Sequence, residues 1–191
     1  MVKRREKYKN MSKGITKRKI LFVGLDNVGK TSIVYSLLGI KNLPHFLNVS
    51  PTKGIHRENI QALDSTVGIW DLGGQEAYRE EHLIDFKANI EGCNKFIYVF
   101  DVQDIKRYGL ALSYFEQFIN LLREEPKLTD LEISIFLHKF DPDLKTTHSE
   151  VNNDVINQLK ENIKEIINKT NFFYQIFNTT IYAFFEKTIT D

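Results

Sequence analysis

The sequence predicts an α/β fold: a mostly parallel, six-stranded sheet with one antiparallel edge strand and helices on both faces. Three observations carry this. Short apolar runs of strand length alternate with stretches of helical period. One run, Phe96-Ile97-Tyr98-Val99-Phe100, is continuously apolar, as a strand buried on both faces must be. A glycine-bounded loop motif, Gly24 to Thr31, joins the first strand to the first helix.

The elements follow in order. Lys19-Ile20-Leu21-Phe22-Val23 reads as the first strand, and Thr31 to Leu38 as a helix stopped by Gly39. The stretch from Ile40 to Gly54 shows no periodicity. Arg57 to Leu63 and Thr66 to Trp70 are predicted strands joined by a turn at Asp64-Ser65, the antiparallel pair. After the Phe96 strand, Tyr108, Ala111, Leu112, Phe115, Phe118, Ile119 and Leu122 repeat with helical period up to Pro126. Ile133 to Leu137 is the next strand. Val151, Val155, Ile156, Leu159, Ile163, Ile166 and Ile167 mark a helix, with a capping box expected from Thr147 to Glu150. Phe172 to Phe177 is the last strand and Thr180 to Thr188 a short terminal helix. The aromatic positions on these elements are expected in the core.

A length of 191 residues suits one domain with a sizeable core. No apolar run approaches the roughly 20 residues that span a bilayer. Cys93 is the single cysteine, so no internal disulfide can form, which fits a reducing cytosol and a cytoplasmic location. Sequons such as Asn168-Lys169-Thr170 are then expected to stay unglycosylated. The net charge of +1 hides an asymmetry: residues 1–19 hold nine Lys/Arg against one Glu, the remainder 17 Lys/Arg against 24 Asp/Glu. A basic arm on an acidic body suits a solvated tail, or an electrostatic contact of residues 3–19 with an anionic membrane. No specific nucleic acid partner is expected.

Gly24-Leu25-Asp26-Asn27-Val28-Gly29-Lys30-Thr31 has the form G-x-x-x-x-G-K-T between a strand and a helix. Such a loop wraps tightly enough to turn successive N–H groups towards phosphates. Asp26, Asn27, Val28, Gly29, Lys30, Thr31 and Ser32 are the predicted phosphate contacts, with Lys30 on the β- and γ-phosphates and the Thr31 hydroxyl on Mg²⁺. Forty residues beyond Thr31, Trp70-Asp71-Leu72-Gly73-Gly74-Gln75 closes a strand. Asp71 there can hold Mg²⁺ through a water, Gly73 or Gly74 can admit a γ-phosphate to a backbone N–H, and Gln75 can orient an attacking water. Between the two lies Pro51-Thr52-Lys53-Gly54. Thr52 is either a further Mg²⁺ and γ-phosphate ligand or part of an ordinary turn. His138-Lys139-Phe140-Asp141 follows the Ile133 strand. The Asp141 carboxylate can accept from guanine N1–H and its exocyclic amine, a pair adenine lacks, while the Lys139 stem lies along the base. Asn94-Lys95 is a weaker match with no aspartate two residues on, and reads as a strand start.

These four elements in this order resemble the Ras superfamily of small GTPases over residues 19–191. The Gly24–Thr31 loop and Trp70 to Gln75 are similar to the Arf-like branch. Phe96 to Val102, His138-Lys139-Phe140-Asp141, and Phe177-Asn178-Thr179-Thr180-Ile181-Tyr182 are more similar to Rag GTPases. The resemblance implies a P-loop G domain at 19–191; the basic residues before it are expected to form a flexible arm at 1–18. It implies GTP or GDP with Mg²⁺ as ligands, and Thr179 and Thr180 at the base, the Thr180 N–H meeting guanine O6. It further implies protein effectors, an exchange factor and an activating protein. Three departures stand out. His138 replaces an asparagine, and a neutral imidazole can do only one of that amide's jobs at a time. A Rag-type dimerisation domain and an Arf-type myristoylated helix are not expected, so heterodimerisation and membrane insertion are not carried over.

The resulting expectation is a switch: GTP and Mg²⁺ order the segments at Thr52 and at Gly73 to His82, and hydrolysis releases them. Gln75 and Lys30 are the catalytic candidates. Arg79, four residues after Gln75, is expected to be a solvated helix residue. The competing readings are a nucleotide-locked, Rag-like subunit with little hydrolysis, a P-loop enzyme using ATP, and a G domain that gates contacts made by the basic arm.

Overall fold

In the computed structural model, residues 16–182 are described, apart from 41, 43–45, 47, 63–64, 126–127 and 129. The alternation of apolar runs and helical periods yields six strands: β1 (Thr16–Val23), β2 (Ile55–Ala62), β3 (Ser65–Leu72), β4 (Lys95–Asp101), β5 (Glu132–His138) and β6 (Tyr174–Asn178). The helices are α1 (Lys30–Leu37), α2 (Glu76–Ile84), α3 (Phe86–Ile90), α4 (Tyr108–Arg123), α5 (Leu144–Thr147) and α6 (Asn153–Ile167). All strands join one sheet in the order β2-β3-β1-β4-β5-β6. Only β2 and β3 pair antiparallel, and the other ladders are parallel.

The core explains which strands sit centrally. Leu21, Phe22 and Val23 of β1 and Phe96, Tyr98, Val99 and Phe100 of β4 have no solvent exposure. Tyr98 packs against Phe115 with the rings tilted and their centroids 4.9 Å apart, and Phe86 meets Phe118 edge-on at 5.3 Å, which fixes α3 and α4 against one face. Each such side chain contributes about 1.5–3 kcal/mol through burial. β1 lies between β3 and β4, so chain order reverses there, and the crevice at the carboxyl ends of such strands is where α/β sheets bind ligands. The glycine loop leaves β1 at that place.

Several expectations need correction. α6 has no capping box from Thr147: its N-cap is Asn152, whose extended backbone lets Oδ1 accept from the Val155 N–H at 3.0 Å. Thr147 instead ends α5, its hydroxyl donating to the Asp143 carbonyl. β1 begins at Thr16, so Thr16 to Arg18 belong to the sheet and not to an arm. Lys19 lies 3.5 Å from the centroid of the Trp70 ring and donates to the Glu91 carbonyl. Residues 180–182 are irregular, and the rest of the expected terminal helix lies outside the described residues, as do 63, the expected strand end, and 64 of the expected turn, whose Ser65 begins β3. Phe177 is 39% exposed because β6 is an edge strand, so not every aromatic position is core. Arg79 is not solvated: it shares the inward side of α2 with buried His82, and only 16% of its side chain is exposed. Its Nε is buried without a partner among the described residues.

Candidate nucleotide site

The glycine loop closes onto α1 through Gly29, which caps the helix at φ 91°. A side chain there would strain the backbone and strike the His138 ring, since a Cβ would stand 2.7 Å from Cδ2. Asn27 also takes a left-handed conformation, φ 60°. Lys30 is buried, and its ammonium donates to the Gly24 and Leu25 carbonyls at 3.0 and 2.8 Å. Burial lowers its pKa, against the pull of Asp71 and Asp26. A buried ammonium satisfied only by carbonyls is primed for an anion.

Three oxygens converge beside it. The Thr31 hydroxyl donates to Asp71 Oδ2 at 2.5 Å and lies 3.0 Å from the Thr52 hydroxyl. The Thr52 hydroxyl lies 3.2 Å from the same carboxylate oxygen. The other, Asp71 Oδ1, is buried with no partner among the described residues. Two hydroxyls and one carboxylate, one of its oxygens orphaned, fit a hard divalent cation that takes oxygen ligands and keeps some water, as Mg²⁺ does.

A cavity of about 510 Å³ opens above these groups, lined by Asp26, Asn27, Gly29 to Ser32, Thr52, Gly74, Gln75 and Lys139 among others. Val28 does not line it; the side chain is buried in the core. Gly73 donates its N–H to the Gly54 carbonyl at 2.8 Å, so the next glycine is the one that faces the cavity. Gly74 lies so close to the backbone of Leu25 and Asp26 that a Cβ would overlap them. The Thr52–Gly54 and Gly73–Gln75 segments thus touch one another and the loop. Gln75 stands at the cavity edge as the N-cap of α2, without a side-chain bond to the helix. His82, two turns on, is 2% exposed and its ring bonds the Gly73 backbone.

At the other end, His138 is 3% exposed, with Nδ1 2.9 Å from the Thr179 hydroxyl and its carbon edge against Gly29. Burial, then the Lys139 charge, pushes its pKa down to about 4, so the ring is neutral. The ring thus lies against the glycine loop on one side and the Thr179 hydroxyl on the other. Lys139 is left-handed, φ 60°, and its ammonium meets Asp101 at 2.6 Å. Asp141 accepts from the Thr180 hydroxyl and, at 2.7 Å, from the Gln103 amide. His138, Asp141, Thr179 and Thr180 form a cluster beside the cavity and are not in its wall.

Two residues here were not predicted. Gln103 also donates to the Lys139 carbonyl at 2.9 Å. Arg107 donates to the Asp26 carboxylate at 2.9 Å and to its carbonyl at 3.1 Å, and pairs with Asp104 at 2.5 Å. Their contacts to the loops after β1 and β5 span 36 to 81 residues, so no local pattern could have marked them.

The Gtr1/RagA G protein conserved region matches residues 19–191 of this chain. The chain belongs to the Gtr1/RagA G-protein family. It falls in the Arf/Rag-like branch of small GTPases, and its sheet is the small-GTPase P-loop fold. It is similar to ADP-ribosylation factor 3 of Arabidopsis thaliana, 32% identical over 67% of this chain and 64% of that protein. It is also 32% identical to ADP-ribosylation factor-like protein 3 of Chlamydomonas reinhardtii, over 64% of this chain and 63% of that one. The match therefore spans less than two thirds of these relatives. In fold it resembles the Arl6 BBS3 small GTPase of Trypanosoma brucei with bound GppNp, at TM-score 0.64 and 20% identity, covering 86% of this chain and 87% of that one. The mammalian SRP receptor matches at TM-score 0.62 and 16% identity, covering 85% and 91%.

Proposed function

We propose that this chain is a guanine-nucleotide switch that slowly hydrolyses GTP to GDP with Mg²⁺. The observation that carries the reading is the meeting of Thr31, Thr52 and Asp71 next to the buried Lys30, in a family member. Three segments far apart in sequence bring oxygen ligands to one point, and a cation-centred phosphate site needs that set.

In this reading the Lys30 ammonium leaves its carbonyl partners for the β- and γ-phosphates, and the loop N–H groups from Asp26 to Ser32 surround them. Thr31, Thr52 and Asp71 would hold Mg²⁺, which supplies positive charge against the phosphate oxygens. Gln75 orients the attacking water, and the Gly74 N–H meets the γ-phosphate. Asp141 reads guanine, Lys139 covers the base, and His138, Thr179 and Thr180 complete the base pocket. Loss of the γ-phosphate frees Thr52 and Gly74 together, because the Gly54–Gly73 bond couples their segments. Effectors, an exchange factor and an activating protein would read and set this state. We place the chain in the cytoplasm, with the basic N-terminal residues as a salt-sensitive contact to anionic lipid.

Nucleotide affinity in the presence of Mg²⁺, compared across GTP, GDP and ATP, is the test. Guanine preference that passes to xanthine nucleotides in Asp141→Asn supports the reading; equal binding of ATP removes it. Intrinsic turnover is expected at about 10⁻⁴ to 10⁻² per second. Gln75→Leu should lower it in a switch and leave it unchanged in a nucleotide-locked subunit.

A further inference from the structure

The base-reading loop that follows β5 contains a conformation that does not hold itself. Lys139 is left-handed at φ 60°, unfavourable for a side chain with a Cβ, and such residues persist only where neighbours over-determine them. The His138 ring cannot serve, because its contacts run to Thr179 and Gly29. The bracing comes from the turn after β4. Gln103 donates one amide nitrogen both to the Lys139 carbonyl, at 2.9 Å, and to Asp141 Oδ2, at 2.7 Å. Its own position is fixed, since its N–H donates to Asp101 Oδ1 at 2.9 Å while Asp101 Oδ2 holds the Lys139 ammonium. The second Asp141 oxygen accepts from Thr180.

An ionised carboxylate offers about four lone-pair sites. With Gln103 on one oxygen and Thr180 on the other, its plane is set and each oxygen keeps a site for a ligand. Guanine presents two donors, N1–H and the exocyclic amine, to such a pair of oxygens. On the guanine reading of the site, we propose that Gln103 is a specificity-determining positioning residue: it aims the Asp141 carboxylate at guanine from outside the His138–Asp141 loop motif.

The experiment measures binding of GDP, IDP and ADP to the unaltered chain, Gln103→Ala and Gln103→Asn. Hypoxanthine lacks the exocyclic amine, so the GDP-to-IDP ratio reports how well the second carboxylate oxygen is aimed. Gln103→Ala is expected to lose about tenfold in GDP affinity and to shrink the GDP-to-IDP ratio by roughly three- to tenfold, with ADP binding unchanged. Gln103→Asn keeps the amide but is one methylene short, and should behave like alanine. If GDP and IDP weaken equally in both variants, or neither weakens, Gln103 does not aim the carboxylate and the proposal is wrong. Should the unaltered chain bind ADP as well as GDP, the guanine reading itself fails, an outcome visible before any variant is compared.

Discussion

The phosphate end and the base end of the site are built by different rules. At the phosphate end the chemistry comes from short, contiguous runs: Gly24 to Ser32, Thr52, and Asp71 to Gln75. Their neighbours are each other, as in the contacts among Thr31, Thr52 and Asp71. At the base end the motif residues are held by others outside the motif, with Gln103 on Asp141 and Asp101 on Lys139. The phosphate end is therefore sensitive to its own residues, and the base end to its supports.

The sharpest break of that comparison is Lys30→Met. Removing the buried ammonium should weaken GDP and GTP by about 100- to 1,000-fold, since charge-assisted bonds to phosphate carry roughly 1.5–3 kcal/mol each. Isothermal titration of both nucleotides measures this, and a loss below tenfold would mean the phosphates lie elsewhere. Arg107 tests whether the phosphate end has an outside support of its own. It pins the Asp26 carboxylate, which lines the cavity and would otherwise repel phosphate. Both groups are partly exposed, so the effect is discounted: Arg107→Ala should cost about three- to tenfold in nucleotide affinity. Asp26→Ala in the same chain should recover most of it. No recovery would show that Arg107 acts by shaping the loop and not by masking charge.

The same division governs how much was legible in the sequence. The strands, the antiparallel pair, the loop and the Asp71 strand end follow from periodicity and local motifs, because backbone geometry and near neighbours determine them. α2 and α3 carry no continuous apolar stripe, and the burial of Arg79 and His82 follows from which side of α2 meets the core. Gln103, Arg107 and Asp104 sit in an ordinary polar turn after β4, and only the fold brings that turn against the loops after β1 and β5. The misplaced cap of α6 has a similar cause. Thr147 and Glu150 have the right spacing, but a turn closed by the Val151 N–H on the His148 carbonyl intervenes, and the helix begins only after the extended Asn152.

Acid should act on the buried imidazoles of the two ends, His138 and His82. His138 titrates near pH 4 in the folded chain, against about 6.5 when unfolded, because burial and the Lys139 charge disfavour its cation. Between those values the unfolded chain binds a proton that the folded chain refuses. The stability held by neutral His138 is therefore complete above about pH 6.5 and is lost as pH falls towards 4, by up to about 3 kcal/mol. His82 at the phosphate end is shifted in the same direction by burial, and acts in the same sense. Urea denaturation at pH 7.5 and pH 5 separates the two ends. His138→Asn should reduce the destabilisation between those values by about 2 kcal/mol, whereas the remaining slope should respond to His82→Asn. An unchanged slope in His138→Asn would mean that the imidazole is hydrated, and that the base end is looser than its contacts with Gly29 and Thr179 imply.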